Sequence, residues 1–201
     1  MNHLAHFFLA SPNPGLMVGG FLGDFVKGPM KGNYAQDLEQ GISLHRAIDV
    51  FTDQHPIVKQ SQRRFEKPYR RFSPIICDIV FDHFLALDWH QYSNASLVGF
   101  SQQAYQMVIE RKLEVPGNAL KSIERMQSYG ALESYQSQAF IDNALRSLSK
   151  RFSRKNPLAQ GFDQYLIHKQ GLHDDFVQFM PEVIGFAACW MTQKHDQTDG
   201  N

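Results

Sequence analysis

Apolar residues recur at spacings of mostly three and four along this 201-residue chain. That period belongs to helices with one buried face. The set Leu38, Ile42, Leu44, Ile48 and Phe51 shows it. No sustained period-two alternation and no Asn-Gly hairpin signal argues for strands. The pattern predicts helices over 2–10, 34–52, 74–92, 96–113, 118–129, 133–153, 157–170 and 173–194. A further helical stretch starts at Pro56 and ends before Pro68. Residues 16–26 form an apolar run whose Gly19, Gly20 and Gly23 make a small face suited to close packing. Ser73-Pro74 reads as an N-cap followed by proline at the first helical position. The fold class is all-α, a single-domain helical bundle over residues 1–195. Residues 196–201 are expected to be a frayed tail.

Composition narrows the function. With 43% hydrophobic and 20% charged residues the chain is no disordered polymer. A domain of this size buries about 70% of its unfolded surface and needs no staples. Twenty basic residues balance twenty acidic ones, which argues against a general nucleic-acid binder. Two distant cysteines, Cys77 and Cys189, make no disulfide framework and fit a reducing compartment. No apolar run reaches the ~18 residues of a membrane span. The opening MNHLAHFFLASP lacks the positive region of a signal peptide, and His3 and His6 interrupt it. The expectation is a soluble cytoplasmic protein.

Histidine and aspartate fall at unusual places. His3 and His6 lie on the first helix, about 60° apart around its axis. Asp24 sits inside the apolar FLGDFV, where an unpartnered carboxylate is costly to bury. His45, Asp49 and Asp53 follow one another at intervals of four and share a stripe. Asp78 and Asp82 are also four apart, and His83 follows at once. Four apolar segments thus each carry an acid or an imidazole. Helix bundles build metal centres from such inward residues, and this donor set suits Mn²⁺, Fe²⁺, Zn²⁺ or Mg²⁺. The plain alternatives are surface ion pairs for the i,i+4 pairs, helix-end roles for Asp53 and Asp78, and ordinary packing for His55, His168, His173 and His195.

Two stretches are basic. Residues 59–71 hold Lys59, Arg63, Arg64, Lys67, Arg70 and Arg71 against Glu66 alone, and residues 146–155 hold five cations and no acid. They are solvated faces or local fields that steer an acidic partner. No G-x-S-x-G, P-loop or G-x-G-x-x-G is present.

MNHLAHFFLA, GGFLGDFVKG, GISLHRAIDVFTD and the D-x-x-x-D-H block resemble, in order and spacing, the acyl carrier protein phosphodiesterase family. The match covers about the first 90 residues; length and helical character extend it to the whole chain. The resemblance implies an all-helical, HD-phosphohydrolase-like fold of rearranged order. It implies hydrolysis of holo-acyl carrier protein to apo-protein and 4′-phosphopantetheine, with a divalent metal, Mn²⁺ foremost and Mg²⁺ or Fe²⁺ as alternatives. Carried over by motif, His6, Asp24, His45, Asp82 and His83 are the expected metal shell. Asp49 is a further ligand or orients the attacking water, and Arg46 contacts phosphate or is an ordinary helix-surface arginine. The sequence departs from the family at Phe8, where a further histidine is common, and at Gly19-Gly20. An acidic acyl carrier protein would dock on Arg63, Arg64, Lys67, Arg70 and Arg71, with 146–155 as a second face. Two rivals are a phosphohydrolase acting on nucleotides or other small phosphoesters, and a non-enzymatic carrier-binding protein whose His/Asp set is a structural network.

Overall fold

The computed structural model describes residues 1–30 and 32–198, with side chains through Gln193. Among the described residues ten helices run α1 (His3–Ala10), α2 (Pro14–Leu22), α3 (Gln36–Gln54), α4 (Pro56–Arg63), α5 (Ser73–Leu87), α6 (Trp89–Tyr92), α7 (Leu97–Glu110), α8 (Gly117–Ser128), α9 (Gln138–Ser149) and α10 (Gly161–Thr198). Short 3₁₀ turns at Tyr69–Phe72, Glu133–Gln136 and Leu158–Gln160 link some of them. The described residues contain no strand, as the 3.6-residue period requires.

Local chemistry sets the helix starts. Asn13 accepts a hydrogen bond from the Leu16 N–H with Pro14 at the first helical position of α2. Ser96 and Ser137 cap α7 and α9 in the same way through the amides of Gly99 and Phe140. Ser73 departs from expectation. It is the first residue of α5 rather than its cap, because its hydroxyl donates back to the Arg70 carbonyl and closes the preceding 3₁₀ turn.

Helix α5 lies at the centre. Ile76, Cys77, Ile79, Val80, Phe81 and Phe84 are all buried, so it is enclosed on every side. It packs on α1, α4, α9 and α10. Phe81 and Phe84 meet Phe176 and Phe179 of α10 in one aromatic cluster. Each such ring contributes roughly 1.5–3 kcal/mol on burial. The core is continuous from Met1 to Ala187.

Several boundaries differ from the sequence pattern, among them the stretch expected from Pro56 to before Pro68, which leaves the α-helix after Arg63. Helix α5 stops at Leu87, and the rest of the expected 74–92 helix is the separate single turn α6. The expected 133–153 helix is a 3₁₀ turn followed by α9, since Ser137 takes an extended conformation between them. The two helices expected at 157–170 and 173–194 are one continuous α10. Gly171 does not break it. A side chain there would fall on the Arg64 guanidinium, so the glycine is a seat for a neighbour. The backbone of α10 stays helical to Thr198, and residues 199–201 of the expected tail lie outside the described residues.

Candidate metal centre

The centre is built where α2 and α3 run against each other with almost bare backbone. A Cβ on Gly19 would fall on the Leu38 carbonyl oxygen, and one on Gly41 would lie 2.6 Å from the Leu16 carbonyl oxygen. A Cβ on Gly23 would occupy the space of the His45 ring. The glycine face therefore sets how closely α3 can carry His45 and Asp49 toward α1. There His6 meets them, its ring stacked on that of His45 with centroids 3.8 Å apart.

Asp49 Oδ1 lies 3.2 Å from His6 Nε2, and its Oδ2 lies 3.1 Å from His45 Nε2. One donor atom from each of His6, His45 and Asp49 falls within 4.8 Å of the other two. Both imidazoles are buried while Asp49 is 43% exposed, so the trio faces outward through its carboxylate. Nδ1 of His6 and Nδ1 of His45 have no hydrogen-bond partner, and Nε2 of His6 has only the shared Asp49 carboxylate beside it. Buried polar atoms are rarely left so. Burial and the neighbouring His45 push the His6 pKa down to about 4, so its ring is neutral at pH 7. Burial would raise the Asp49 carboxyl, but the His45 and His6 imidazoles beside it hold it well below the usual range. Neutral imidazole and ionised carboxylate are the protonation states that bind a cation.

Asp24 borders this trio, with Oδ1 at 3.9 Å from His45 Nε2 and Oδ2 at 3.3 Å from His3 Nδ1. It stands nearer His3 than His45, so Asp49 rather than Asp24 is the carboxylate closest to both buried rings. Beside it a polar recess of about 380 Å³ is lined by Asp24, Lys27, His45, Arg46 and Asp49. Arg46 does not reach into open space. Its Nη2 donates to the Val26 and Gly28 carbonyls at 2.9 Å each, and so pins the recess wall. Lys27 carries a charge at the recess with no ion pair among the described residues. Its place within DFVKG gave no sign of this, and the sequence also left unmarked the pairing of His3 with Asp24.

The D-H pair stands elsewhere. Asp82 is fully buried, and its carboxylate accepts from the backbone N–H groups of Asn2, Leu4 and Ala5, capping α1. Burial raises its pKa to about 7 against the pull of the Met1 ammonium and those amides. His83 faces the other way: Nδ1 contacts the Tyr135 carbonyl and Nε2 lies 3.1 Å from the Tyr165 hydroxyl. Adjacent residues on a helix diverge by about 100°, and here that turn sends one side chain under α1 and the other toward α10. Asp78 pairs with the Met1 ammonium at 3.0 Å. Other histidines have ordinary settings: His55 pairs with Glu182, His173 with Asp88, His168 packs on Phe65, and His90 is exposed. The side chain of His195 lies outside the described residues.

The 59–71 stretch is also partly internal. Arg64 makes two 2.8 Å hydrogen bonds to buried Asp175, which Gln60 and Ser61 complete. Arg70 donates to the Phe65 and Arg63 carbonyls. Arg63, Lys67 and Arg71 remain at the surface, away from the recess.

Fold and site together define a class: an all-helical protein with a His₂–carboxylate cluster at the edge of a polar recess. The family model for acyl carrier protein phosphodiesterase matches residues 1–183, and the chain belongs to that family. A Yersinia pestis protein named acyl carrier protein phosphodiesterase is 35% identical over 92% of this chain and 96% of its own. Proteins of the same name from Photorhabdus laumondii and Serratia proteamaculans are 34% and 35% identical over 92% of this chain, covering 93% and 96% of theirs. No solved structure matches. No described helix is long and apolar enough to cross a membrane.

Proposed function

We propose that this chain hydrolyses the phosphodiester between 4′-phosphopantetheine and the serine of an acyl carrier protein, using a divalent cation held by His6, His45 and Asp49. The observation that carries this is the convergence of two buried, under-bonded imidazoles and one ionised carboxylate in a member of this family. The donor set lacks cysteine and suits Mn²⁺, with Mg²⁺ and Fe²⁺ next. Such a cation supplies charge neutralisation at phosphate and a lowered pKa for water.

The chain's own residues do the rest. Asp24 stands beside the trio without a place in it, and its carboxylate orients water and takes its proton. Lys27 meets a nonbridging phosphate oxygen at the recess mouth. Arg46 is a positioning residue that fixes the 23–28 turn carrying Asp24 and Lys27. Water oxygen bonds to phosphorus, the serine oxygen leaves with the electron pair, and a proton restores the hydroxyl of apo-carrier. The cytoplasm is the site of action, consistent with Cys77 and Cys189 both being free thiols.

The test is the intact mass of holo-acyl carrier protein incubated with this protein, with Mn²⁺ or with chelator. Loss of one phosphopantetheine only with metal is the expected result. Retention of the group under both conditions, with folded and metal-loaded protein, overturns the reading and turns attention to nucleotides.

A further inference from the structure

A second, larger concavity begins at the metal centre. His3 and Asp24 form one end of an open groove of about 1050 Å³ that continues between α8 and α9. Asp24 lines both this groove and the small recess, so the two meet at that carboxylate. Sites that hold flexible, drug-sized ligands span about 300–1,000 Å³, so the groove has ample room for one.

Its lining is mixed along its length. Phe25, Met126, Phe140 and Leu148 supply apolar surface. Asn118, Asn143, Ser122 and Ser147 supply amides and hydroxyls. A pantetheine arm carries methyl, hydroxyl and amide groups, and this lining offers both apolar and hydrogen-bonding surface to them. Lys121, Arg125 and Arg151 also line the groove. All three are exposed, and none joins an ion pair among the described residues. They are a positive field at the open side of the groove, within a protein of zero net charge.

The 59–71 stretch compares poorly. Two of its arginines are held by internal partners, and none of its residues lines the groove or the recess. We infer that the acidic carrier docks across the α8–α9 groove, with its prosthetic arm lying in the groove and its acid groups on Lys121, Arg125 and Arg151. This rests on the proposed function for the identity of the carrier.

Binding in chelator separates the two ideas. Titrations at low salt compare holo-carrier with apo-carrier, which lacks the arm. The wild type is expected to bind holo-carrier at least about fivefold tighter than apo-carrier. Ser147→Trp, a surface change on α9 that fills the groove, is expected to erase that preference; Asn143→Trp is a second variant should the first misfold. Lys121→Glu/Arg125→Glu/Arg151→Glu is expected to weaken both carriers at least about tenfold and to flatten the salt dependence. Equal wild-type affinity for holo- and apo-carrier overturns the arm in the groove. Carrier affinity that survives this triple, or falls further with Arg63→Glu/Lys67→Glu/Arg71→Glu, overturns the docking face. Should holo-carrier bind as described yet never lose its arm when metal is restored, the groove stands and the proposed hydrolysis falls.

Discussion

Two His/Asp sets are written alike in the sequence and end in opposite conditions. His45 and Asp49, on one turn of α3, join His6 in a cluster where the buried Nδ1 atoms of both rings have no hydrogen-bond partner and their Nε2 atoms face one shared carboxylate. Asp82 and His83, on one turn of α5, are fully engaged: three backbone amides serve the carboxylate, and both ring nitrogens have oxygen partners. A satisfied polar group holds a fold together, whereas an unsatisfied buried one retains capacity for a ligand. The two sets differ in hydrogen-bond accounting, not in residue type.

The hardest test of that contrast removes a donor from each set. His45→Ala and Asp49→Asn should each lower metal-dependent turnover at least about a hundredfold and abolish Mn²⁺ uptake. Asp49→Asn should leave far-UV circular dichroism intact, because this half-exposed carboxylate caps no helix. Asp82→Ala should do the reverse. It strands buried amides at the start of α1 and should cost about 3–5 kcal/mol in urea unfolding. The folded fraction should still bind Mn²⁺ at wild-type stoichiometry. Loss of Mn²⁺ from a well-folded Asp82 variant would make Asp82 a ligand and dissolve the contrast.

Much of this was legible from residues alone. The 3.6 period yields the helices, and GGFLG marks the face that α3 approaches, because only glycine tolerates the Leu38 carbonyl and the His45 ring at that distance. His6, Asp24, His45 and Asp49 carry their meaning in their apolar setting. The setting of the D-H pair was not legible, since an i,i+4 acid spacing is the same whether the stripe faces a cavity or the start of another helix. Only packing decides which. The same holds for Arg64, whose partner Asp175 is distant in sequence, and for Lys27, whose value depends on the recess beside it.

A titration sharpens the contrast further. Burial depresses the His6 pKa to about 4, below its unfolded value of 6.5. Between those values the unfolded chain binds a proton that the folded apoprotein refuses. The associated stability is therefore complete above pH 6.5 and lost as pH falls through 4. Its size is on the order of 3 kcal/mol. Asp82, with its folded pKa raised to about 7, works in the opposite sense over the same window. The His6 share is therefore the difference between wild type and His6→Gln in urea unfolding of chelator-treated protein at pH 7 and pH 4.5. It should be seen as a steeper loss of stability in the wild type. A His6→Gln protein with the same pH slope as wild type would show that His6 is not held neutral.

The smallest expected effect belongs to the engaged set. Tyr165→Phe deletes only the hydroxyl that meets His83 Nε2 at 3.1 Å. The Nδ1 contact to the Tyr135 carbonyl remains, and the phenyl ring keeps its edge-on packing against His83. The change strands the buried His83 Nε2 and also removes the hydroxyl from Gln138, a cost of about 1–3 kcal/mol, and the stability loss should stay in that range. Mn²⁺ affinity should not move, because neither His83 nor Tyr165 borders the recess. A Tyr165→Phe protein that lost Mn²⁺ affinity at unchanged stability would tie the engaged histidine to the centre after all.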